Sequence, residues 1–88
     1  MKNLEKQIIN DITRKRKLVQ EIKETNPQDL LLHFGVGGYI RDKYLWQCPQ
    51  NVKKLSMLYG TDNIDDISHC LVKKIYFKIT GQELKDDF

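Results

Sequence analysis

Leu30-Leu31-Leu32-His33-Phe34-Gly35-Val36-Gly37-Gly38-Tyr39-Ile40-Arg41-Asp42-Lys43-Tyr44-Leu45-Trp46 is the most apolar stretch of the chain. It holds the only Trp, two of the four Tyr and three of the five Gly. Two readings compete for it. Either the chain breaks at Gly35-Val36-Gly37-Gly38, or a helix runs on through bare backbone that lets a neighbour approach closely. Three helical glycines would cost up to ~3 kcal/mol relative to alanine. Tyr39, Ile40, Tyr44 and Leu45 nonetheless continue one helical face, and no Pro, Asn or Asp marks a turn at the glycines. The continuous helix is the favoured reading, and it makes the fold all-α.

Upstream, Asn26-Pro27-Gln28-Asp29 reads as a restart. Asn26 suits an N-cap, Pro27 the first helical position, and Asp29 the positive end of the dipole. A helix over 27–45 follows. Before it, residues 2–24 contain no Gly or Pro. Leu4, Ile8, Ile12, Leu18, Val19 and Ile22 fall on one helical arc of ~120°. Asp11 and Lys15 interrupt that arc at i,i+4 spacing. The expectation is one long helix, ~35 Å, with two apolar ends and a charged waist. Its length predicts that one end overhangs the core and packs on a second copy or a partner.

Downstream, Cys48-Pro49 opens a helix over 49–59 by the same proline logic, with Val52, Leu55, Leu58 and Tyr59 as its apolar stripe, Lys53 and Lys54 facing out, and Gly60 ending it. Thr61-Asp62-Asn63 supplies the next cap. From 63 to 80, Ile64, Ile67, Ser68, Leu71, Val72, Ile75 and Ile79 share a ~140° arc, with Cys70 and Phe77 on the far side, so this helix should be central. Residues 82–88 read as a flexible tail. The expectation is a compact bundle of about four helices forming one domain over 1–88, since 88 residues leave no room for a second core.

Apolar residues make up 40% of the chain, charged residues 31%, and the net charge is +3. Such a balance supports a folded core and is too mild to demand nucleic acid. No apolar run approaches the ~18 residues of a membrane span, and the charged N-terminus lacks a signal-peptide core. A cytoplasmic protein with reduced cysteines is expected.

Several constellations invite chemistry. His33, Cys48, His69 and Cys70 lack the paired spacing of a zinc site, so no metal and no cofactor is expected. The glycines lack the strand and the Gly-Lys-Ser/Thr context of a phosphate loop. His33, Arg41, Asp65, Asp66 and Ser68 suit a structural polar cluster better than an acid–base site, because an arginine among apolar residues needs a partner and no nucleophile accompanies them. Arg14, Lys15, Arg16 and Lys17 form the one dense basic run, spread around a helix, which favours a solvated face over a nucleic-acid footprint. Tyr39, Tyr44 and Trp46 suit either a binding hot spot or the core.

His33-Phe34-x-x-Gly37-x-x-Ile40-Arg41, Leu45-Trp46, Leu55 to Tyr59-Gly60, and Asp65-Asp66-x-Ser68 together resemble a small uncharacterised domain family of bacteria. The resemblance covers about residues 30–80. It implies an all-helical domain of bacterial or phage origin, with His33, Arg41, Asp66 and Ser68 brought together, and it implies no activity. Gly38 stands where the pattern has a larger residue. The expected function is that of a small non-enzymatic protein-binding module of the adaptor, immunity or inhibitor kind. The alternative is a nucleic-acid binder using the basic run of the first helix.

Overall fold

The computed structural model describes residues 3–24 and 35–82. Among them lie α1 (Leu4–Thr13), α2 (Arg16–Glu24), α3, which is α-helical over Val36–Ile40 and π-helical over Arg41–Leu45, α4 (Pro49–Tyr59) and α5 (Ile64–Thr80). The described residues contain no strand. The fold is the expected all-α bundle, with five described helices in place of about four.

The extra helix comes from a break in the expected single helix over 2–24. Near its end α1 tightens: the Arg14 amide is shared between the Asn10 and Asp11 carbonyls, and the Lys15 amide reaches only three residues back to Ile12 (3.0 Å). The Thr13 hydroxyl also donates to the Asn10 carbonyl at 3.0 Å, competing with the helical ladder. The chain then turns and restarts at Arg16. Each half keeps the apolar face read from the sequence, and both faces reach one core, with Ile8 and Ile12 at 0% exposure and Ile22 at 1%. Among the described residues neither half of the expected helix overhangs the core.

The expected helix over 27–45 is likewise not continuous. Gly35 bends at φ −57°, ψ −94°, outside the helical well. The carboxylate of Glu21, from α2, stands where a Gly35 side chain would be. Residues 27–34, and the Asn26-Pro27 cap before them, lie outside the described residues. Gly37 and Gly38 are helical as expected. Gly37 is buried under the Arg41 side chain, and a Cβ there would meet Nη1 at 3.1 Å.

At its start α4 is tied to the end of α3 by the Asn51 amide, which donates to the Tyr44 carbonyl at 3.0 Å. It stops at Gly60, whose φ of 74° favours glycine. Asn63 then caps α5, its side chain accepting from the Asp65 (2.8 Å) and Asp66 (3.3 Å) amides. This last helix is central, touching each of the other four. Ile67, Leu71, Val72 and Ile75 are almost wholly buried, each contributing ~1.5–3 kcal/mol of transfer free energy. Phe77, expected to form a second packed stripe, is instead 54% exposed. Of the expected tail, only Gln82 lies within the described residues.

Candidate functional site

The charged waist of the sequence becomes a polar clasp inside one chain. Asp11 accepts hydrogen bonds on Oδ2 from Tyr44 (2.5 Å), Tyr39 (3.0 Å) and Lys43 (3.2 Å), while Lys15 approaches Oδ1 to 3.8 Å. Lys43 also donates to the Tyr39 hydroxyl at 2.9 Å and lies over the Tyr39 and Tyr44 rings. In an α-helix, residues five apart point about 140° away from each other. The π-helical turn, closed by the Trp46 amide reaching five residues back to the Arg41 carbonyl (2.8 Å), underwinds α3 and lets Tyr39, Lys43 and Tyr44 converge on one carboxylate.

The electrostatics of the clasp follow from this geometry. Burial pushes the Asp11 carboxyl up, but the hydrogen bonds from Tyr44, Lys43 and Tyr39 outweigh it and hold the group below its ordinary value. Tyr44 is pushed up to about 12 by burial and by its bond to Asp11. Lys43 is raised by its bonds to Tyr39 and Asp11. These directions stabilise charges and protons where they are, the reverse of what proton transfer near neutral pH needs.

A second clasp joins α1 to the end of α4. The Tyr59 hydroxyl donates to Glu5 at 2.6 Å, Lys74 meets the same oxygen at 3.3 Å, and burial together with Glu5 raises Tyr59 well above the ordinary tyrosine value. Between α3 and α5, Arg41 donates from Nη1 to Ser68 (3.1 Å) and stands 3.9 Å from Asp65. Asp66 turns to the Thr61 hydroxyl at 3.3 Å. Arg41, Asp65 and Ser68 are thus brought together, Asp66 faces the loop, and His33 lies outside the described residues.

Of the proposed aromatic hot spot, Tyr39 and Tyr44 are half-buried in the clasp and Trp46 is 59% exposed. Of the basic run, Lys15 is drawn to Asp11 and to the Tyr39 ring, whereas Arg14, Arg16 and Lys17 stay exposed around the break. The feature that sequence reasoning missed is the outer face of α4. Leu58 was expected in the buried stripe but is 58% exposed, and Met57 beside it is 81% exposed. With Gln50, Lys53 and Lys54 they occupy i, i+3, i+4, i+7 and i+8 of one outward face, about 12 Å long. The spacing was visible in the sequence. That Leu55, half-buried Val52 and Tyr59 alone seat the helix was not.

Among the described residues no three His, Cys, Asp or Glu side chains are grouped to hold a metal ion, and no helix is long and apolar enough to cross a membrane. No family model matches the chain, and neither a curated protein nor a solved structure matches it.

Proposed function

We propose that the chain is a small non-enzymatic protein-binding module of the adaptor, immunity or inhibitor kind, and that the outer face of α4 is its binding surface. The observation that carries this reading is the side-by-side exposure of Met57 (81%) and Leu58 (58%) on a helix whose other side is already seated through Leu55. Covering such side chains is worth ~1.5–3 kcal/mol each, a gain that folding alone leaves unused. The helix is also held at both ends, through Asn51 to the Tyr44 carbonyl and through Tyr59 to Glu5. A face fixed in this way loses little freedom on binding. Trp46, the residue type most enriched among interface anchors, lies three residues before the start of α4 and is more than half exposed.

The test places a photo-crosslinking amino acid at Met57 of the intact chain in its cell of origin, with Asp42, exposed on α3, as the control position. Protein adducts that form from Met57 and not from Asp42 support the reading. Equal labelling, or no adduct from Met57, refutes it. Nucleic-acid binding is the second reading, favoured by the exposure of Arg14, Arg16 and Lys17 at the α1–α2 break. It requires a steep loss of oligonucleotide affinity with salt.

A further inference from the structure

We infer that the partner of the α4 face is an acidic amphipathic helix laid along it, an inference that rests on the protein-binding reading above. The charge pattern sets the class. Residues 43–61 contain three lysines and no acidic residue. Lys43 is spent on Asp11 within the chain, and so are Lys15 on Asp11 and Lys74 on Glu5. Lys53 and Lys54 are exposed, and no carboxylate of the described residues forms an ion pair with either. They project from the middle of α4, one turn before Met57 and Leu58.

The face is therefore polarised along its axis, cationic toward the N-terminal half and apolar toward the C-terminal end. The positive end of the helix dipole adds to the first half, and the lysine stems extend the apolar ridge of the second. A complementary helix carries apolar side chains at i and i+3 or i+4 over Met57 and Leu58. Its carboxylates stand about one turn away, ~5.4 Å along the axis, over Lys53 and Lys54. A nucleic-acid backbone would satisfy the lysines and leave the two apolar side chains in water. A second copy of this face would bring no carboxylate to them.

The probe is a phage-displayed library of randomised helical peptides, selected on the intact chain and measured by fluorescence anisotropy. The expected winners combine Asp or Glu with Leu, Met or Phe at helical spacing and bind more weakly as salt rises. Their affinity should fall about tenfold or more in Lys53→Glu with Lys54→Glu, and again in Met57→Ser with Leu58→Ser, while the melting temperature holds. Winners without acidic residues that still respond to Met57 and Leu58 overturn the acidic assignment and leave the α4 surface standing. Winners indifferent to all four residues overturn both. An empty selection, with a single-stranded oligonucleotide whose binding is lost in the lysine variant, overturns the inference in favour of nucleic acid.

Discussion

Replacing Asp11 with alanine tests whether the waist of the first segment closes inside one chain. Its carboxylate accepts from Tyr39, Lys43 and Tyr44. A shielded hydrogen bond to a charged group contributes ~1.5–3 kcal/mol. The Asp11 side chain is 25% exposed and Lys43 is 47% exposed, so solvent screening removes most of the lysine part. The two tyrosine bonds then dominate, and Asp11→Ala should cost about 2–3 kcal/mol. For a domain of this size that lowers the melting temperature by roughly 10–20 °C. Urea unfolding of Asp11→Ala, Tyr44→Phe and the double variant closes the cycle, with a coupling energy of at least ~1 kcal/mol expected. A loss below ~0.5 kcal/mol, or two losses that simply add, would contradict the clasp.

Four further outcomes are expected. In alkaline titration of tyrosinate absorbance, Tyr44 and Tyr59 should ionise late. Because Tyr44 is raised from 10.0 to about 12, its contribution to stability is complete below pH 10 and lost as pH climbs toward 12. Asp11, lowered from 3.8, contributes above that pH and ceases to contribute as acid titrates the folded carboxylate; an acid unfolding midpoint unmoved by Asp11→Asn would oppose this. Arg41→Met should cost only ~1–2 kcal/mol in urea unfolding, since its carboxylate partner Asp65 is 74% exposed at 3.9 Å and screening is strong. Gly37→Ala should stay within ~1 kcal/mol of wild type, because helix propensity gains what the displaced end of Arg41 loses, whereas Gly37→Leu should cost ~1–3 kcal/mol by overpacking; equal melting temperatures for the two variants would refute the close approach.

Periodicity made the fold class legible because the apolar spacing of each helix survives in the structure. Ile8, Ile12 and Ile22 are buried as their positions demand. The break between Thr13 and Arg16 was invisible because no Gly, Pro or strong cap marks it. It arises from tightened carbonyl sharing and from the core, which draws both halves inward. The bend at Gly35 was one of two open readings, and the position of Glu21 against it depends on tertiary packing. No residue type signals a π-helical turn, so the convergence of Tyr39, Lys43 and Tyr44 on Asp11 had no sequence signature. Without it Asp11 and Lys15 read only as a charged waist at i,i+4 spacing. Helical spacing alone placed Leu58 in the stripe, yet Leu55 with Val52 and Tyr59 suffices to seat α4. The exposure of its neighbour Met57 therefore emerges only from the packed helix.

The most direct test of the functional account is the affinity of the protein captured by crosslinking at Met57, measured by titration calorimetry for wild type and for Met57→Ser with Leu58→Ser. The α4 reading predicts a loss of about tenfold or more with the melting temperature unchanged. Equal affinity for the two chains would contradict it.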